Sequence, residues 1–112
     1  MSATLEYYQV NPSATTVTAL LTCATGRKYG LRMVSVCNIG ASALTFRLAL
    51  RKAGATLANG HYLRYSQSVP AGEAIAITYD ADELVMNQGD ILQTYVSSAD
   101  AAFTVSYTNF PA

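Results

Sequence analysis

The sequence predicts an all-β fold, an antiparallel sandwich or barrel of seven or eight strands. Three observations carry this expectation. Apolar and polar residues alternate with period two along several short runs. Other runs are rich in β-branched and apolar residues. Turn-forming residues fall at regular spacing between the runs.

The clearest alternation is "ALTFRLALRK", where Leu44, Phe46, Leu48 and Leu50 point one way and Thr45, Arg47, Ala49 and Arg51 the other. "FTVSYTNF" repeats the pattern with Phe103, Val105 and Tyr107, and "AIAITY" with Ile75, Ile77 and Tyr79. "TTVTALLTC" and "LRMVSVCNI" lack clean alternation and suit strands buried on both faces or nearly so. The expected strands cover 16–23, 30–39, 43–52, 61–67, 73–79, 83–86, 90–97 and 102–109. "LEYYQV" adds a possible edge strand. "ADELVMN" has residues that favour a helical turn, with Asp82 as a cap, but its shortness favours strand or irregular structure. Between the runs, "ATGRKYG", "NIGAS", "KAGATLANG", "VPAGE" and "MNQGD" provide the turns. Gly40 is expected to supply a permissive backbone in the second of these, and Asn59-Gly60 marks a turn in the third. The expected core joins Phe46, Leu48, Ile77, Phe103 and Val105.

A chain of 112 residues fits one domain. At that size it buries roughly 65% of its unfolded surface, so no metal or disulfide staple is required. Half the residues are hydrophobic (51%), which excludes a disordered chain. Only 12% are charged, about half the usual share, and such a surface protects weakly against association. The seven basic and seven acidic residues balance, so there is no global attraction to nucleic acid or to an anionic membrane. "MSATLEYYQV" carries neither a basic nor an apolar signal region, and no run has the length of a membrane span. Folding in a reducing cytoplasm is the expectation, with Cys23 and Cys37 as free thiols rather than a disulfide or a metal site.

No motif carries chemistry. His61, the lone histidine, has no nucleophile context beside it, and it is expected to pack or hydrogen-bond at a strand end. Asp80, Asp82, Glu83 and Asp90 lack the glycine turn and distal glutamate of a calcium loop and suit solvated charge at one end of the fold. The eight tyrosines fit a protein interface better than a sugar platform, because tryptophan is absent. Catalytic residues, metal ligands and cofactors are therefore expected to be none.

Four stretches in order resemble small β-sandwich virion proteins of tailed bacteriophages: "TTVTALLT", "VSVCNIGASALTFRLALRKAGA", "HYLRYSQSVPAGEAIAI" and "LVMNQGDILQTYVSSADAAFTVS". The resemblance spans about Thr15 to Thr108. It implies a jelly-roll-like antiparallel β-sandwich and a non-enzymatic structural role, foremost a capsid decoration or cement protein that stabilises the head shell. A tail, neck or baseplate component is the alternative within that class, and a carbohydrate-binding host-attachment module the alternative outside it. The implied partners are further copies of the chain, as a homotrimer, and the major capsid protein or another virion protein. The implied location is the virion, assembled in the bacterial host cytoplasm. Residues 1–14 are expected to form an N-terminal arm that docks on a neighbour, and 15–112 a sandwich that folds without it. The expected interface residues are Leu5, Tyr7 and Tyr8 on the arm, Arg47 and Arg51 on the outer face of the 43–52 strand, and Tyr62 and Tyr65.

Overall fold

The computed structural model describes residues 4–80 and 83–111. Nine strands form two antiparallel sheets: β1 (Thr4–Val10), β2 (Thr18–Thr22), β3 (Arg27–Asn38), β4 (Leu44–Arg51), β5 (Tyr62–Val69), β6 (Ala74–Thr78), β7 (Val85–Met86), β8 (Ile91–Val96) and β9 (Ala101–Pro111). One sheet runs β1-β9-β3-β6, with the two-residue β7 also paired to β3, and the other runs β2-β8-β4-β5. We call these sheets A and B.

The pairing has a simple logic. The first strand pairs with the last, β2 with β8, β3 with β6 and β4 with β5. One long antiparallel ribbon has been rolled into two stacked sheets, which is the jelly-roll arrangement. The sandwich that the alternation predicts is therefore present.

The core lies between the sheets. Leu44, Phe46, Leu48 and Leu50 of β4 face Val34 and Val36 of β3 and Phe103 and Val105 of β9, and all are buried. Phe46 and Phe103 meet edge to face with ring centres 6.0 Å apart, a geometry that suits the aromatic quadrupole. Tyr29 and Tyr107 stack at 4.7 Å at the far end of the same layer.

Two expectations about buried strands are corrected. β2 is an edge strand, with Ala19 and Thr22 exposed. β3 is central but has one solvent-accessible face, on which Ser35 and Cys37 are only half-buried. Alternation is hidden in both sequences because each strand meets a register shift. In β3 the shift falls between Leu31 and Met33, so Leu31 and Val34 both face the core. In β2 it falls between Ala19 and Leu21, so Leu20 and Leu21 are both buried. A bulge inserts a residue and inverts the phase of everything beyond it.

The N-terminal segment is also corrected. Residues 4–10 are not an arm awaiting a neighbour. They pair along β9 from Thr4↔Asn109 to Val10↔Phe103. Proline still acts as the expected interruption: buried Pro12 ends the strand where the chain leaves sheet A. Asn11 fixes that exit, its amide donating to the carbonyls of Ala99 and Ala101 at 2.7 Å each. The boundary at residue 14 therefore separates one strand of the sandwich from the rest.

Buried Asn38 organises the turn between β3 and β4. Its amide donates to the carbonyls of Ser42 (2.8 Å) and Val69 (3.0 Å), and its side-chain oxygen accepts from the Gly40 N–H at 2.9 Å. Gly40 is needed here for space and not for a left-handed backbone, because a Cβ would collide with the Asp100 carboxylate. Asp82 of the "ADELVMN" stretch lies outside the described residues. The stretch ends in β7, paired to β3 at Tyr29↔Met86 and Gly30↔Val85.

Candidate binding site

The expected interface residues separate into three places. Leu5 and Tyr7 project from edge strand β1 onto the outer face of sheet A, 52% and 65% exposed. Tyr8 alternates to the other side of β1, opposite inward-facing Val105, and lies at the open edge of the sandwich. Arg47, Tyr62 and Tyr65 come together on the outer face of sheet B. Arg51 does not join them: its guanidinium turns back to donate to the Ala55 carbonyl at 3.0 Å.

The sheet B cluster depends on β5. Phe46 pairs with Gln67, Leu48 with Arg64 and Ala49 with Tyr62, so β5 gains extra residues on both sides of Arg64. Tyr65 and Ser66 together oppose Arg47, and Ser66 adopts a left-handed backbone at φ 51°. Residues three apart on a regular strand point to opposite faces. The bulges bring Tyr62 and Tyr65 to one face, with their rings perpendicular at 4.8 Å. Arg47 lies over the Tyr65 ring at 4.4 Å and near the Tyr95 ring at 5.1 Å. Both distances are within cation–π range. Tyr95 is the member that sequence reasoning missed. Its only signal was its place on the outward phase of "ILQTYV", and its pairing with Arg47 is a matter of register between β4 and β8.

Beside this cluster is a hollow of about 140 Å³ lined in part by Val17, Ala49, Leu57, Tyr62 and Gln93. The arrangement can grip a ligand but holds no nucleophile or general base. His61 lies in a short 3-10 turn, where its Nδ1 accepts the Ala58 N–H at 3.0 Å. It serves the turn, a local hydrogen-bonding role of the kind expected.

The acidic residues do not form one patch. Glu83 folds back to accept the Asp80 N–H at 2.8 Å. Asp90 is buried, contrary to the expectation of solvated charge. It accepts from Lys52 Nζ (2.7 Å), the Ala53 N–H (2.7 Å) and the Asn87 N–H (2.8 Å). Burial alone pushes its carboxyl up, but the Lys52 and backbone hydrogen bonds outweigh it and hold the pKa below the ordinary value. Asp90 thus pins the turn after β4 to the turn before β8. Among the described residues no group of histidine, cysteine and carboxylate side chains has metal-site geometry.

Cys23 and Cys37 are unbonded. Burial, and secondarily the charge of Asp90, raises the Cys23 thiol above its usual pKa, which opposes reactivity. No helix is long and apolar enough to cross a membrane.

No protein-family model, curated protein or solved structure matches this chain.

Proposed function

We propose that this chain is a structural protein of a bacteriophage particle, a decoration protein that binds the capsid shell through the outer face of sheet A. The observation that carries the proposal is the character of that face. Its cross-strand rows read Tyr7–Ser106–Met33–Thr78 and Gln9–Thr104–Ser35–Ala76, with Ala102, Cys37 and Ala74 beyond. None of these positions is charged, and Leu5 and Tyr7 extend the face as exposed apolar groups. Small side chains give a flat surface, and flat, uncharged area suits close contact with a rigid partner.

The resemblance to phage virion proteins supplies the partner class. The fold is compatible with it but does not select it, since jelly rolls build both viral capsid and lectin domains. The working unit in this reading is a homotrimer, and the partner is the major capsid protein. A protein of this kind adds contact area to a finished shell and catalyses nothing.

Immunogold labelling of purified particles of the virus that encodes the chain tests the proposal. Label distributed over the head is the expected result. Label confined to the tail, neck or baseplate overturns the decoration role in favour of those positions. Particles without label overturn the virion reading altogether.

A further inference from the structure

The sheet B hollow carries an inference that does not depend on the virion reading. Arg47 is held by ring faces, and stacking uses the face of the guanidinium while its N–H donors lie in the plane. Those donors are unused. Arg27, Arg51 and Arg64 each donate to an acceptor in the chain. Arg47 donates to no described residue, and the ion pair of the structure is elsewhere, between Lys52 and Asp90.

A second polar group faces the same space. Gln93 is only 4% exposed and lines the hollow, yet its side-chain amide has no hydrogen-bond partner among the described residues. Buried amides are rarely left without a partner. A fixed guanidinium and an idle amide at one hollow form a receptor for an acceptor-only group. A carboxylate is that group, and a guanidinium fork grips it with two parallel hydrogen bonds.

Size selects the carrier. At the ~30 Å³ that one water occupies in the liquid, about 140 Å³ holds about five heavy atoms. A glutamate side chain has about that number, and a sugar-acid ring more than twice as many. Val17, Leu57 and Tyr62 offer apolar walls for its methylene groups. Arginine and tyrosine around a partly enclosed pocket are also the composition of protein-interface hot spots. We propose that this hollow binds a glutamate side chain presented by a partner protein.

The test is a nuclear magnetic resonance titration of the isolated, isotope-labelled full chain. The probe is N-acetyl-glutamate N-methylamide, and its glutamine counterpart is the uncharged control. The expected result is saturable shifts of the Arg47 Nε–H and Gln93 side-chain amide signals, with binding at least tenfold weaker for the glutamine probe. Arg47→Ala should abolish these shifts while the spectrum stays dispersed, because the side chain lies outside the core. Arg47→Lys keeps the charge but loses the fork, and should weaken binding severalfold. Equal binding of inorganic phosphate overturns the carboxylate assignment in favour of a general anion site. Tighter binding of glucuronate overturns the protein partner in favour of an acidic saccharide. Absence of saturable shifts overturns the site. Because the isolated chain is used, failure here leaves the particle-labelling result untouched.

Discussion

At the scale of single residues, three groups have roles sharp enough to predict. Phe46 is fully buried against Phe103. Phe46→Ala should cost about 3–5 kcal/mol by lost transfer energy and a cavity, as read from urea denaturation. A loss under about 1 kcal/mol would mean that the site collapses around the missing ring. Asp90 makes stability depend on acid. Its folded pKa is lowered, so its contribution is complete above the unfolded value of about 4 and is lost as pH falls through the lower folded value. Asp90→Ala should cost about 2–4 kcal/mol at neutral pH, because it strips acceptors from two backbone N–H groups. It should also flatten the acid limb of a pH–stability curve, and an unchanged limb would assign the acid sensitivity to other carboxylates. Tyr107 acts at the opposite extreme. Burial, then the neighbouring Glu6 carboxylate, pushes its hydroxyl up to about 12. Its contribution is complete below the unfolded value of about 10 and declines as pH rises through about 12. Ultraviolet titration should show one tyrosine ionising about two units after the exposed ones, and Tyr107→Phe should remove that step.

At the scale of elements, β1 decides how the N-terminus behaves. It supplies the seven-residue partner strand for β9. Deleting residues 1–10 would bare a row of β9 backbone groups, and an unpaired strand edge invites association. The shortened chain should lose on the order of 3 kcal/mol or more and aggregate on refolding, as seen by denaturation and size-exclusion chromatography. A truncated chain as stable as the full one would restore the view of this segment as a dispensable arm. The segment was legible as a strand, since "LEYYQV" has β-forming residues. Its partner was not legible, because the residue alternation of one strand contains no information about which strand lies beside it. The jelly-roll expectation was itself the missing clue, since rolling up a ribbon joins its two ends.

At the scale of the molecule, the two outer faces divide the labour. Sheet A offers uncharged breadth, and sheet B offers a tyrosine-held arginine and a hollow. A charge placed in the middle of the sheet A face tests whether that breadth is used. Ser35 lies between Thr104 and Ala76 on that face. Ser35→Lys should change stability by no more than about 0.5 kcal/mol, yet abolish binding to shells in a sedimentation assay. Undiminished binding would move the contact to another face.

The sequence by itself determined the fold class, most strand positions and the principal core, because side-chain alternation and turn residues are local signals. It also placed Arg47, Tyr62 and Tyr65 among surface residues with something to bind. Only the tertiary structure decided which of these meet. Bulges in β5 bring Tyr62 and Tyr65 to one face, and the β4–β8 register delivers Tyr95 to Arg47. The same distinction explains Asp90, which looks like surface charge in sequence and is buried by a lysine and two backbone amides drawn from separate turns. A bulge shifts phase by a single residue, and a long-range partner leaves no local trace. Both are set by the balance of packing across the whole sandwich, which no short stretch of the chain contains.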